Sequence, residues 1–238
     1  MRLSDTFHSM RSTHDDWNEI LTNPSYFSKN HRISWYGREE KHRSPVLVRR
    51  SYVADQIKKC QYTLKILNDD SIIQIYYEYE RDDSTLIFAK LSYFNSGIAD
   101  ISELEESIDL SETSASVVEL LPKFIENITS DVDDPLVPWI RIDYDPKAST
   151  SPLHHACHMH IGLFQHARIP LSRVPTPRQF IEFIITLCYP EDYRMKRLDS
   201  DGKPLDIKKI CSFNDDTFEK IENVLYDIIP HFHIPTKK

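Results

Sequence analysis

Apolar and polar residues alternate most regularly between Tyr62 and Phe94, and again between Trp139 and Gly162. Tyr62 to Leu67 ends at Asn68-Asp69-Asp70, Ser71 to Glu80 at Arg81-Asp82-Asp83, and Thr85 to Phe94 at Asn95-Ser96-Gly97. Runs of β-branched and aromatic residues separated by tight polar turns predict an antiparallel meander. Within the second run Ile73, Ile75, Tyr77 and Tyr79 fall on one face, with Gln74, Tyr76, Glu78 and Glu80 on the other. One face should be buried and the other partly wet. Trp139 to Asp145 and Ala156 to Phe164 read as two further strands by the same alternation.

Helical spacing appears elsewhere. Trp17, Ile20 and Leu21 predict a short helix over His14 to Thr22, stopped by Asn23-Pro24. Ser51 to Lys59 places Tyr52, Val53, Ile57 and Cys60 on one side. Ser116 to Ile128 does the same with Val117, Leu120, Leu121, Phe124 and Ile128, with Pro122 bending that helix or marking a start near Leu121. Thr176 as N-cap and Pro177 in the first turn open a helix over Arg178 to Tyr189, with Phe180, Ile181, Ile184, Ile185 and Cys188 facing inward. A last helix is expected over Asp216 to Ile229. The fold class expected is α+β: a single antiparallel-rich sheet packed by helices, with helical additions at both ends. The division expected is 1–50 as an N-terminal helical and basic extension, 51–190 as the core domain, and 191–238 as a C-terminal helical extension.

Composition narrows the functional classes. With 40% hydrophobic and 28% charged residues in 238, the chain can bury a core and is too apolar to be disordered. Its four glycines, Gly37, Gly97, Gly162 and Gly202, allow no G-x-G-x-x-G and no Walker loop, which excludes the common dinucleotide and P-loop chemistries. Cys60, Cys157, Cys188 and Cys211 form no C-x-x-C pair and fit reduced, buried thiols. The N-terminus lacks a signal-peptide core, and no apolar run approaches the roughly 18 residues of a membrane span. A cytoplasmic protein without a membrane partner is expected. Net charge is −8, but it is uneven. Seven basic residues lie between Lys29 and Arg50, and eleven acidic ones between Asp100 and Asp134. This is either a local basic patch on an acidic protein or a pair of solvated faces.

The densest candidate chemistry is in the second alternating region. Five of the eleven histidines fall between His154 and His166. Strand parity puts His158, His160 and Gly162 on one face and Met159, Ile161 and Leu163 on the core face, with the two imidazoles roughly 7 Å apart along the strand. Arg141, Asp143 and Asp145 likewise oppose Ile140, Ile142 and Tyr144. Pairing the two strands with their apolar faces inward gathers Arg141, Asp143, His158 and His160 on the outer face, with Gly162 leaving room for a ligand or for backbone. A histidine serves as acid or base, a carboxylate fixes its tautomer, and an arginine holds a phosphate. Metal-independent RNA cleavage needs those parts. His-x-His could instead supply two ligands to zinc or another divalent ion, with Asp143, His154 or His155 as a third, or the histidines could be structural. Arg168 either reaches the same face or solvates a turn.

Three stretches carry a family likeness: Tyr62 to Tyr79 with Leu91-Ser92-Tyr93-Phe94; Ile140-Arg141-Ile142-Asp143-Tyr144-Asp145; and His158 through Gly162 to Arg168-Ile169-Pro170, Thr176-Pro177 and Phe180-Ile181. Over about residues 52 to 190 the chain resembles an uncharacterised bacterial family, domain-of-unknown-function family 2290. That pattern has an Arg-x-Asp-Tyr-Asp-like strand, one histidine four residues before a glycine, and an Arg-Ile-Pro segment. The resemblance implies His158, Arg141, Asp143 and Arg168 as site positions, and His160 departs from it. The His-rich segment also looks like that of some small bacterial toxins, which implies a toxin or phage-defence setting. Two functions are therefore expected. One is a metal-independent nuclease or phosphodiesterase of bacterial phage defence or a toxin–antitoxin system, acting on nucleic acid, RNA above DNA, without a cofactor. Its catalytic set would be His158, His160, Arg141, Asp143 and Arg168. The other is a non-enzymatic subunit that binds a partner protein encoded nearby, an effector or ATPase of a defence complex.

Overall fold

The computed structural model describes residues 2–38, 48–96, 134, 136–148, 155–162 and 168–196. These contain four helices and one nine-stranded antiparallel sheet. In chain order they are α1 (Leu3–Asp16), β1 (Leu21–Thr22), β2 (Tyr26–Lys29), β3 (Arg32–Trp35), α2 (Arg50–Lys58), β4 (Leu64–Ile66), β5 (Ile72–Tyr79), β6 (Leu86–Phe94), β7 (Trp139–Tyr144), β8 (Cys157–Ile161), β9 (Ile169–Pro170), α3 (Pro177–Cys188) and α4 (Pro190–Lys196). The fold is α+β with one main sheet, as the alternation implied. The helices expected over Ser116 to Ile128 and Asp216 to Ile229 lie outside the described residues.

The sheet runs β1-β4-β5-β6-β7-β8-β9, and β3 shares the β4 edge of β5 while pairing with β2. Strands from residues 21–35 thus join the sheet built by residues 64–170, which crosses the boundary placed at residue 50. The β2–β3 hairpin turns at Asn30 and His31, both left-handed (φ 54° and 60°), the geometry of a two-residue turn. The first helix lies upstream of its expected position, at Leu3–Asp16 instead of His14 to Thr22. Its inward face is Thr6, Met10 and Thr13, continued by Trp17. The two threonines satisfy their hydroxyls on the backbone carbonyls of Arg2 and Ser9, so polar residues occupy apolar positions.

One sheet face is the main core. Successive cross-strand rows read Ile73–Tyr93–Ile140–Ile161, Ile75–Leu91–Ile142–Met159 and Tyr77–Ala89–Tyr144–Cys157. Met10 and Trp17 from the α1 region and Phe180, Ile181, Ile184 and Ile185 of α3 belong to the same buried cluster. Each such aliphatic side chain contributes about 1.5–3 kcal/mol. At the sheet margin Ile161 is 38% exposed, less sheltered than its parity implied, and Leu163 lies outside the described residues. The α3 start is a reciprocal cap: Thr176 Oγ1 accepts from the Gln179 amide at 3.1 Å, and Gln179 Oε1 accepts from the Thr176 amide at 2.9 Å.

The opposite face is not the partly wet surface expected of it. Ile72, Phe94 and Trp139 form its first row and pack with Val48, Val53, Tyr62 and Val137, α2 lying over them. Gln74 and Tyr76 on this face are also buried, and Glu78 is half-buried. Among the described residues no helix is long and apolar enough to cross a membrane.

Candidate acid–base and anion site

Beyond the apolar row, the second face turns polar. The register places Gln74, Ser92, Arg141 and His160 side by side across β5, β6, β7 and β8. The next row is Tyr76, Lys90, Asp143, His158 and, on β9, Pro170. Arg141 faces His160 and Asp143 faces His158, so four of the five sequence-predicted residues meet on one patch.

Asp143 is the hub. Its Oδ2 accepts from Arg141 Nε at 2.8 Å and lies 3.5 Å from His160 Nε2 and 4.0 Å from His158 Nε2. Burial alone would raise the carboxyl pKa. The His160 hydrogen bond and the charges of Arg141 and Lys90 outweigh it and hold the group below the usual carboxylate range. Arg141 also lays its guanidinium 5.6 Å from the centre of the Trp139 ring, which fixes the fork from its apolar side. The imidazoles meet edge to face at 4.8 Å between ring centres, closer than strand repeat alone would set them. Both are nearly sealed, at 5% and 6% exposure, whereas Arg141 and Asp143 retain a partly open side. The outer face of the sequence reading is therefore a semi-enclosed patch, approached past Arg141 and Asp143.

His158 Nδ1 donates to the His155 carbonyl at 2.9 Å. In the neutral ring this leaves Nε2 as the basic nitrogen, turned toward Asp143. A carboxylate oxygen and an imidazole lone pair at 4.0 Å favour a positive charge between them, either a proton or a metal ion. That is the position of a base which collects a proton and is then stabilised by the adjacent carboxylate.

Gly162 has no space for a side chain. Its amide donates to the Trp139 carbonyl at 2.7 Å, and a Cβ built on it would lie 2.9 Å from both Trp139 Cδ1 and Trp139 N. Close backbone approach, and not a ligand, explains the glycine.

The β5 and β6 strands bring residues that the sequence reading passed over. Lys90 stands directly across from Asp143. Burial pulls its pKa down to about 8, Arg141 and Arg38 adding to the fall and Asp143 opposing it. Arg38 stacks 3.8 Å from the centre of the Tyr76 ring, and its Nε is buried without a hydrogen-bond partner, as is Ser92 Oγ beside Arg141. The alternation of Thr85 to Phe94 already placed Lys90 and Ser92 on one face. Only the β6–β7 register shows that this face is shared with Asp143.

Asp143, His158 and His160 could also hold a metal ion, their nearest ligand atoms lying within 4.8 Å of one another. Charge weighs against it. Lys90 and Arg141 both act on the one carboxylate of the cluster, Arg38 adds its charge beside Lys90, and Glu78 nearby is already engaged by Arg32 and Tyr76. A divalent ion about one strand spacing from each of two such cations meets repulsion of roughly 6–7 kcal/mol apiece at an effective dielectric near 20. An oxyanion meets attraction instead.

Arg168, the fifth predicted residue, is exposed ahead of β9, and among the described residues it has no hydrogen bond or ion pair to the other four. His154 lies outside the described residues, and His155 contributes its carbonyl to His158.

No curated protein and no solved structure matches this chain. The pattern of one family does match, over residues 18–234, nearly the whole length, and it spans every residue of the site just described. The chain belongs to the uncharacterized conserved protein family DUF2290.

Proposed function

We propose that this protein is a metal-independent phosphodiesterase acting on nucleic acid, RNA above DNA, in the cytoplasm. The observation that carries the reading is the β7–β8 register, which sets Arg141 against His160 and Asp143 against His158, with Asp143 Oδ2 bonded to Arg141 and facing both Nε2 atoms. His158 Nε2 takes the proton of a ribose 2′-hydroxyl, whose oxygen bonds to the adjacent phosphorus. The phosphorus–O5′ bond breaks, and O5′ takes its proton from His160. The products are a 2′,3′-cyclic phosphate and a 5′-hydroxyl, with atoms and charge conserved. Arg141 neutralises charge that develops on the phosphoryl oxygens, and Asp143 stabilises the imidazolium. A phage-defence or toxin–antitoxin role is the setting we propose from the His-rich sequence likeness. His158→Ala is expected to abolish cleavage of an oligoribonucleotide, and growth arrest on expression, without shifting the thermal melt by more than a few degrees. Equal toxicity and equal cleavage by wild type and variant would remove the reading.

A partner-binding subunit is the second reading. It is favoured by Leu67 after β4, Leu187 on α3 and Met195 on α4, which are 57–78% exposed. Asn68 and Asp192 hydrogen-bond at 2.9 Å and tie the first and last of these segments together. Co-purification of a protein encoded nearby should survive His158→Ala and fail in Leu187→Asp/Met195→Asp.

A further inference from the structure

Among the described residues, four cations on this sheet face (Arg32, Arg38, Lys90 and Arg141) outnumber its two hydrogen-bonded carboxylates, Asp143 and Glu78, and the excess sits to one side. Arg141 is matched by Asp143 at 2.8 Å. On the β5–β6 side of that pair lie Lys90 and Arg38. Among the described residues, Lys90 Nζ has neither a hydrogen bond nor an ion pair, and Arg38 Nε is buried with no hydrogen-bond partner. Ser92 Oγ, fully buried in the neighbouring row, is a further donor without a partner. Buried donors are normally satisfied, because each one left unmade costs about 1–3 kcal/mol. Two on one face, Arg38 Nε and Ser92 Oγ, beside a part-buried lysine with no ion pair among the described residues, indicate a ligand that brings oxygen acceptors and negative charge.

The charge of that ligand can be counted. Among the described residues Glu78 is the other acid within reach, and Arg32 holds its Oε1 through Nε and Nη2 at 3.1 and 2.8 Å while the Tyr76 hydroxyl holds Oε2 at 2.8 Å. Setting the matched Arg141–Asp143 and Arg32–Glu78 pairs aside leaves, among the described residues, an excess of two positive charges at Lys90 and Arg38. An internal phosphodiester carries one negative charge, whereas a phosphate monoester carries about −1.5 to −2 near neutral pH. The monoester balances the pair. Lys90 and Tyr76 stand one and two strands from Asp143, about 5 and 10 Å away at ordinary strand spacing. That separation is on the scale of one nucleotide step.

We propose that Lys90 and Arg38, with Ser92 beside Lys90 on β6, form a subsite for a dianionic phosphate monoester, the phosphorylated end of the strand whose next linkage lies at His158 and His160. The assignment rests on the nucleic-acid reading of the site and names its substrate class: short or terminal segments bearing an end phosphate. Arg141 serves the linkage that is cut, while Lys90 and Arg38 hold the end.

Calorimetric titration of the full-length protein at one fixed salt concentration tests this. The ligands are inorganic phosphate and one oligoribonucleotide made with a 5′-phosphate, a 3′-phosphate or neither. Wild type is expected to bind inorganic phosphate at a single saturable site, and one of the phosphorylated strands at least tenfold more tightly than the unphosphorylated one. Lys90→Met and Arg38→Met should each remove that preference, Lys90→Arg should keep it, and melting curves establish that the variants are folded. Equal affinity for all three strands, or a preference unchanged in folded Lys90→Met, overturns the subsite. Binding of inorganic phosphate without strand preference overturns the strand-end assignment. An end-phosphate preference with no cleavage of any strand supports the subsite and defeats the nuclease reading. Cleavage that ignores end phosphorylation supports the nuclease reading and defeats the subsite.

Discussion

Replacing Lys90 by methionine should make the protein more stable. Methionine keeps the apolar stem and deletes an ammonium that the fold accommodates poorly. The drop from the ordinary lysine value of 10.5 to about 8 already nets the attraction of Asp143 against burial and the neighbouring arginines. At 1.36 kcal/mol per pH unit it corresponds to roughly 3 kcal/mol of strain in the charged folded state, an upper bound once local relaxation is allowed. A gain of about 1–3 kcal/mol at pH 7 is therefore expected, or roughly 3–10 °C in melting temperature for a chain of this size. The sign reverses the usual outcome for a buried-site substitution. Between about pH 8 and 10.5 the unfolded lysine holds a proton that the folded one has released. Wild-type stability thus rises with pH through that window relative to the variant, and the gap closes by about pH 10.5. Urea melts of both proteins at pH 7 and pH 10 measure this directly, and the shared tyrosines cancel in the comparison. A Lys90→Met protein less stable than wild type at pH 7 would mean instead that Nζ makes stabilising contacts in the fold. A cation kept at such a cost is characteristic of a functional group.

Other perturbations probe separate contacts of the fold and the site. Gly162→Ala drives a methyl into the Trp139 backbone and ring, and should cost about 1–3 kcal/mol in a chemical melt. Thr176→Ala removes the α3 cap and should cost about 1 kcal/mol. For Asp143 the folded pKa lies below the unfolded one. Its contribution is present above the unfolded value near 4 and is lost as pH falls through the lower folded value. Asp143→Asn should cost about 2 kcal/mol at neutral pH by leaving Arg141 unmatched, and should flatten the acid limb of the stability profile below about pH 4. Identical acid limbs in wild type and variant would show that the Arg141–Asp143 contact does not persist in solution.

How legible the molecule was depends on the range of each interaction. Strand parity is local, so the faces of Trp139–Tyr144 and Cys157–Ile161 could be read from alternation, and the assumed pairing of Arg141 and Asp143 with the two histidines is the one found. The cap at Thr176 is a four-residue signal and was equally readable. Lys90 and Arg38 were not, because their approach to Asp143 depends on the register between β6 and β7, more than forty residues apart, and on a short hairpin edge. The N-terminal helix was hidden by Thr6 and Thr13, polar residues in apolar positions that use their hydroxyls internally. Its strands escaped notice because β1 has two residues and β2 and β3 four each, too short for a period to declare itself. The second sheet face read as wet because alternation reports polarity, whereas burial there comes from α2 and distant segments packing over it.

His158 presents a basic Nε2 to Asp143 within this cross-strand cluster. Ring-nitrogen NMR of ¹⁵N-histidine-labelled protein, assigned with His158→Gln, reads out which ring nitrogen carries the proton. The expected result is a neutral His158 that carries its proton on Nδ1, held by the His155 carbonyl, with Nε2 unprotonated. A neutral His158 protonated on Nε2 would overturn the assignment of Nε2 as the base.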